Sequence, residues 1–164
     1  ISANDYANPS SKGASIKQLD IVVLSALEVD LDFNVNVITG SKGLLRGESC
    51  GDRDTADEAK LSIIVAPLTR GRIPTVTKRV NTIVTPGSTV DVVVTDQGIA
   101  VHPRHSELRE KLKKAGLEVV DMQELYMRAI ALCGEPQNIA YTDKVVAVIR
   151  YRDGSIIDVV RQLA

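Results

Sequence analysis

The run Leu19-Asp20-Ile21-Val22-Val23-Leu24-Ser25-Ala26-Leu27 limits the fold more than any other stretch of the chain. Its apolar residues are nearly continuous, and Ile and Val are prominent among them. This pattern fits a strand covered on both faces, as in a parallel or mixed sheet. Leu61-Ser62-Ile63-Ile64-Val65-Ala66-Pro67 has the same character and is closed by Pro67. Phe33-Asn34-Val35-Asn36-Val37-Ile38 alternates instead, which predicts a strand with Asn34 and Asn36 on one face. Arg79 to Val84 and Val90 to Thr95 read as strands around Thr85-Pro86-Gly87-Ser88, a strong turn signal. Gly98 to Val101 and Leu117 to Val120 are two shorter strands.

Helical segments alternate with these strands. One leaves a glycine-containing junction over Thr55 to Lys60. Ser106 caps another from Glu107 to Ala115, with Leu108, Leu112 and Ala115 on one face and Gly116 where a helix C-terminal glycine belongs. Asp121 with Glu124 three residues on resembles a capping box and opens a helix to about Leu132, ended by Gly134 and Pro136. Lys144 to Tyr151 and Ser155 to Arg161 flank Arg152-Asp153-Gly154, a hairpin signal that predicts a type I′ turn at Asp153-Gly154. Residues Ile1 to Ser15 are rich in turn formers and read as irregular. The expectation is one α/β domain over residues 1–164: a mixed sheet flanked by helices, with a C-terminal β-hairpin.

Composition narrows function by exclusion. Aromatic residues are 3% of the 164 and hydrophobic residues 44%, so the core must be aliphatic. Net charge is −1, which gives no electrostatic case for nucleic acid or a membrane surface. No run of eighteen apolar residues suggests a membrane span. Two cysteines, Cys50 and Cys133, are too few for a disulfide framework and point to a reducing, cytoplasmic setting. With His102 and His105 they give no zinc spacing, so no metal is expected. The first residue is Ile1, which fits a processed chain or a piece of a longer one.

Chemistry is expected at Gly47-Glu48-Ser49-Cys50-Gly51-Asp52-Arg53-Asp54-Thr55-Ala56, where small and polar residues meet a helix start. Glycines let a backbone approach a ligand closely, and free N–H groups favour negative charge. The N–H groups of Cys50, Gly51 and Asp52 could face a developing oxyanion; a surface loop with a helix cap explains the same residues. Glu28, at the end of the first strand, is readable as a nucleophile, a base or a solvated strand-end acid. Cys50 has no nearby histidine to activate its thiol. Arg70, Arg72 and Arg79 could meet a phosphate or a carboxylate, or be loop charges.

Several long motifs resemble one known family. Asn4-Asp5-Tyr6-Ala7-Asn8-Pro9, Leu24 to Asp30, Phe33 to Val37, Ile64 to Pro74, Val84 to Val92 and Val148 to Ser155 all resemble the alpha subunit of citrate lyase, a relative of the CoA-transferases. The resemblance implies a CoA-transferase-like fold and a chain that is the C-terminal part of a longer transferase subunit. It also implies thioester exchange: citrate replaces the acetyl group on an acyl carrier protein, or on acetyl-CoA, giving a citryl thioester and acetate. In this branch the exchange passes through a mixed anhydride. No cofactor is held permanently, since the thioester rides on the carrier's CoA-like phosphopantetheine group. The implied partners are the beta (citryl lyase) and gamma (acyl carrier) subunits in an oligomeric complex.

Carried over by position, the resemblance makes Gly47, Ser49, Gly51, Asp54 and Thr55, with Cys50 and Asp52 standing where the pattern departs, the thioester site; the residues themselves make Glu28 a catalytic candidate and Asn34, Asn36, Arg70 and Arg72 substrate-binding candidates, while in relatives with a similar Ser-Ala-Leu-Glu-Val-Asp motif the nucleophile lies upstream, outside this chain. At the junction the family reads roughly Gly-Ala-Ser-Gly-Gly-His-Ser-Asp-Thr-Ala. This chain departs at Glu48, Cys50, Asp52 and Arg53, which implies weakened turnover. A divergent piece that folds and assembles without turnover is the competing reading. A small-molecule-binding α/β domain without transfer chemistry fits the composition equally well.

Overall fold

The computed structural model describes residues 1–8, 10–47 and 51–164. In chain order they form α1 (Ala3–Ala7), β1 (Ile21–Ser25), β2 (Glu28–Asp30), β3 (Val35–Asn36), α2 (Asp52–Glu58), β4 (Leu61–Val65), β5 (Thr69–Arg70) and β6 (Ile73–Pro74). There follow β7 (Val76–Thr77), β8 (Val92–Thr95), β9 (Gly98–Val101), α3 (Ser106–Lys114), β10 (Val119–Val120), α4 (Met122–Cys133), β11 (Tyr141–Arg150) and β12 (Ile156–Leu163).

The main sheet runs β1-β4-β8-β9-β10. Its first three strands are parallel, β9 is antiparallel to β8, and β10 is parallel to β9. A smaller sheet, β3-β2-β7, pairs β2 antiparallel to β3 and parallel to β7. β11 and β12 form the C-terminal hairpin. α2 packs on β1 and β4, α3 on β9 and β10, and α4 on β5, β6, β7 and β9. The expected α/β class, mixed sheet and terminal hairpin are all present. No helix among the described residues is long and apolar enough to cross a membrane.

The core is aliphatic, as the composition requires. Ile64, Val93, Ala100 and Val120 of the main sheet meet Leu125 and Ala129 of α4 and Val29, Val35 and Val76 of the small sheet. Each fully buried side chain of this kind contributes about 2 kcal/mol of transfer free energy. α4 starts where expected, with Asp121 at its N-cap, but no capping box forms. The Asp121 carboxylate takes Arg109 at 2.7 Å and Glu124 takes Arg128 at 2.7 Å, because each arginine offers a stronger, charged donor.

Other local expectations need correction. Residues 1–15 are not wholly irregular: α1 forms, with the Asp5 N–H donating to the Ser2 hydroxyl at 3.1 Å. β1 is covered on one face only. It is the sheet's edge strand, and Ile21 and Val23 are 56% and 61% exposed. A continuous apolar run cannot report whether a second layer lies over it. The strand at Phe33–Ile38 shrinks to Val35–Asn36, because Phe33 adopts φ 64° and turns the chain.

Residues 79–84 form no strand, because side-chain carboxylates replace ladder partners. The Val80 N–H donates to Asp30 at 3.2 Å and the Ile83 N–H to Asp158 at 2.8 Å. α2 starts three residues before the predicted helix and ends at Glu58. α3 lies on the surface with no buried residue, so its apolar face is a shallow one. The hairpin closes by a three-residue loop rather than a type I′ turn. Tyr151 N–H bonds Ser155 O at 2.9 Å, Gly154 N–H bonds Tyr151 O at 3.1 Å, and Gly154 alone in this loop has positive φ, at 90°.

Candidate active site

β2 and β3 place two carboxylates and two amides opposite each other. The register pairs Glu28 with Asn36 and Val29 with Val35. The valines enter the core, so the polar side chains share the opposite face. Asn36 Nδ2 donates to Glu28 Oε2 at 2.8 Å, to Thr39 O at 2.6 Å and to Thr39 Oγ1 at 2.9 Å. Its Oδ1 accepts the Ile38 and Thr39 N–H groups at 3.1 and 3.0 Å. One turn along, Asp30 accepts N–H groups of Asp32, Asn34 and Val80, and the Asn34 amide at 3.2 Å. Asn34 Oδ1 in turn accepts the Gly87 N–H at 2.9 Å.

The turn is strained at Phe33, a bulky residue in the left-handed region. The Asp30 bonds on either side hold it, and its ring packs on His102 with centroids 4.9 Å apart.

Glu28 is not the solvated strand-end acid that its position at the end of an apolar run allowed. It is 3% exposed, and Asp30 is 1% exposed. Burial pushes the Glu28 carboxyl above the ordinary carboxylate range, against the opposing pull of the Asn36 amide and the Asn81 backbone N–H. Burial raises Asp30 too, opposed by its ring of N–H donors. Neither has an ion-pair partner among the described residues. In both acids burial favours the protonated form over what an exposed carboxyl would show.

Glu28 and Ser41 line two cavities at once. The larger, a chamber of about 710 Å³, is lined by Asp30, Asn34, Thr77, Lys78, Arg79 and Asn81, with residues 135–139 over it. The smaller, a slot of about 390 Å³, is lined by Leu27, Lys42, Leu44, Arg46, Arg70 and Ile73, with Thr75 behind them. Arg70 is fixed at the slot by donating to the Ala26 and Leu27 carbonyls at 2.5 and 3.1 Å. Of the predicted substrate-binding residues, Asn34 lines the chamber and Arg70 the slot. Asn36 is fully buried and shapes the Glu28 wall from behind. Arg72 lines a separate cavity of about 300 Å³ with Lys42 and Cys133.

The junction divides. Ser49 and Cys50, with Glu48, lie outside the described residues. Gly47 follows Ile38 back on itself: a Cβ there would lie 2.4 Å from the Val37 carbonyl oxygen, so only glycine fits. Gly51 is the N-cap of α2, and Thr55 Oγ1 is spent on the Gly51 and Asp52 carbonyls at 3.1 and 3.0 Å. Burial raises the Asp52 carboxyl. Asp54 is 2% exposed and accepts from Arg152 of the hairpin loop, while Tyr151 donates to Asp57. Gly51, Asp52, Asp54 and Thr55 line neither the chamber nor the slot. The structure therefore brings Glu28, Asn34 and Asn36 together and leaves this described part of the junction on α2, against the hairpin.

Sequence reasoning missed Lys78, Asn81, Thr75 and Thr77. Lys78-Arg79 directly after a β-branched pair was a visible cue, but their approach to Glu28 needs the β2–β7 pairing. His102 and His105 do not pair with each other across a site. His105 Nε2 lies 2.6 Å from Asp91, and His102 Nδ1 accepts the Arg104 N–H at 3.3 Å.

Comparison with known proteins gives a consistent answer. The family described as citrate lyase, alpha subunit, matches residues 1–163. The chain is 63% identical to the citrate lyase alpha chain of Escherichia coli (strain K12), over 99% of this chain and 32% of that protein. It is 60% identical to the Klebsiella pneumoniae citrate lyase alpha chain over the same shares. A crystal structure of a Streptococcus mutans protein assigned as the alpha subunit of citrate lyase, in complex with citrate, superposes with TM-score 0.96 at 56% identity. That match covers 100% of this chain and 32% of the other. The chain spans about a third of the length of the relatives it matches.

Proposed function

The chain belongs to the citrate lyase alpha subunit family, and from that premise we propose that it supplies part of a site for thioester acyl exchange on citrate. In the proposed reaction, a citrate carboxylate oxygen bonds to the acetyl carbonyl carbon as the C–S bond breaks. This gives a mixed anhydride and a thiolate. The thiolate then bonds to the citryl carbonyl carbon, and acetate leaves with the electrons of the anhydride C–O bond. No net proton is consumed.

The observation that carries this reading is Glu28: one buried carboxyl, raised by burial, walling two cavities. An exchange between a carboxylate and a thioester needs two ligands to meet at one point in a dry place. Protonated Glu28 would donate a hydrogen bond to the developing oxyanion without adding a second negative charge. Lys78, Arg79 and Asn81 give the chamber donors for a polycarboxylate. The thioester would arrive on a phosphopantetheine group of an acyl carrier or on acetyl-CoA, with a lyase subunit taking the product, in a cytoplasmic complex. Gly47, Ser49 and Cys50 remain proposed as the thioester loop, with Gly51, Asp52, Asp54 and Thr55, which line neither cavity, anchoring it from α2.

The test is citrate-dependent acetate release from acetyl-CoA. The chain is assayed alone and with the remaining two-thirds of a citrate lyase alpha chain supplied in trans. Activity is expected only in the second case, and Glu28→Leu, which takes the donor away, is expected to lower it about 100-fold, as for loss of an oxyanion donor. Full activity of Glu28→Leu would remove Glu28 from the chemistry.

A further inference from the structure

We propose that the outer face and free edge of the main sheet at β1 are a docking surface for the rest of the subunit, the part of the relatives' length that this chain does not span. What docks there is a strand parallel to β1, with its crossover helix laid over Ile21, Val23 and Val65. The proposal depends on the sheet and on family membership, and not on the exchange reaction.

The strand register builds one apolar surface. Ile21 pairs with Leu61, Val23 with Ile63, and Val65 with both Ser25 and Val94. Residues in register, and residues two apart on a strand, share a face. None of these positions is charged. Ile64 and Val93 point the other way, into the core with α4 and the small sheet, and Leu24 packs against them. On the outer face Ile21, Val23 and Val65 are 56%, 61% and 46% exposed, and Leu61, Ile63 and Val94 are half-buried. β1, β4 and β8 run parallel, and parallel sheets carry a layer on both faces. The described residues supply that layer on the inner side and leave these side chains to solvent.

The edge is open in the same place. The Leu61 N–H donates to the Asp20 carbonyl at 3.0 Å, and alternate residues of a parallel strand bond to one neighbour. The N–H groups of Ile21, Val23 and Ser25 therefore point away from β4. Among the described residues β1 pairs with no strand but β4. It also lacks the usual guards against edge pairing, having no Lys, no Pro and no bulge.

One element of structure satisfies both the face and the edge. A strand added parallel to β1 needs a long crossover, usually a helix, and that helix lies on a face of the sheet. α4 and the small sheet fill the inner face, so the helix goes outside, over the apolar rows. A second copy of this chain does only half of this. Joined edge to edge about a two-fold axis, it pairs β1 with β1 antiparallel and leaves the face bare. Joined face to face, it covers the rows and leaves the edge open. The relatives match this chain over about a third of their length, which leaves ample chain for a strand and a helix.

The experiment is hydrogen exchange on the chain alone and on the chain joined to the remaining two-thirds of a citrate lyase alpha chain. The amides of Ile21, Val23 and Ser25 are expected to exchange about 100-fold more slowly in the joined protein. Ile21→Lys with Val23→Lys puts two charges on the docking face. In the chain alone this pair should leave the thermal midpoint near the parent's, because both side chains are exposed. In the joined protein it should cancel the protection.

Unchanged exchange at all three amides, or protection gained only on the hairpin, would overturn the assignment. So would a lowered midpoint for the lysine pair in the chain alone, since these side chains would then already be covered. Protection already present in the chain alone, at concentrations where sedimentation finds a dimer, would give the surface to a second copy instead.

Discussion

Glu28 and Asp91 are both buried carboxylates at strand ends, and the fold treats them in opposite ways. Glu28 meets an asparagine amide and a backbone N–H, and burial raises its carboxyl. Asp91 is also opposed by burial, yet Arg104, the Ser62 N–H and His105 together hold it below the ordinary range. Arg104 lies 2.5 Å from Asp91 Oδ1, and the Ser62 N–H lies 2.7 Å from Oδ2. Burial alone therefore does not fix a carboxyl's charge. A cation favours the charged form of Asp91, which ties β8 to the start of α3. Neutral donors leave Glu28 able to carry a proton where the two cavities meet. The first arrangement serves the fold, and the second suits chemistry.

The contrast can be broken at its strongest point. Asp91→Ala leaves the Arg104 guanidinium only the Ser88 and Val90 carbonyls and His105, and removes the partner of the Ser62 N–H. Loss of a buried ion pair of this kind should cost about 3 kcal/mol, read by urea unfolding. A cost below about 1 kcal/mol would place the pair among ordinary surface bridges. Asn36→Leu attacks the other side. It removes three donated and two accepted bonds and leaves Glu28 without its amide, for an expected loss of about 2 kcal/mol. An unchanged midpoint would mean that Asn36 does not hold the Glu28 wall.

A pH series sharpens the comparison. Glu28 is raised in the folded state, so its favourable contribution is full below the unfolded pKa and is lost as pH rises through the folded one. Glu28→Gln should therefore lose stability relative to the parent at acid pH and gain on it towards pH 8, by about 1 kcal/mol across the series. Asp91 is lowered, so its contribution is present above the unfolded pKa and fades as pH falls through the folded one. Parallel slopes for Glu28→Gln and Asp91→Asn would erase the distinction. The smallest effect lies far from both acids. Gly154→Val forces a β-branched residue to φ 90° and should cost about 1 kcal/mol, measured as a lower Tm.

Much of the fold was legible before any coordinates. β4, β8, β9, α3, α4 and both hairpin strands fall where apolar periodicity, Gly116, Gly134 and Pro136 put them. Those signals are local, and local physics reads them. The site was only half legible. Asn34 and Asn36 stand out as amides in an alternating strand, and their i, i+2 spacing does put them on the face shared with Glu28 and Asp30. Lys78 and Thr75 carry no such mark, because they reach the cavities through the parallel pairing of β2 with β7, a contact between distant stretches of chain.

By itself, then, the sequence determined an aliphatic α/β chain, the places of α3 and α4, its terminal hairpin and its family. Periodicity, turn chemistry and long motifs are all properties of neighbouring residues. Tertiary structure alone decided that β1 is an edge strand with Ile21 and Val23 outward, that residues 79–84 bond to carboxylates instead of a ladder, and that Glu28 is buried. It also decided which acid is pushed towards its protonated form and which towards its charged one. Charge on a buried carboxyl depends on the donors that distant segments bring within about 3 Å of it, and no local pattern encodes that meeting.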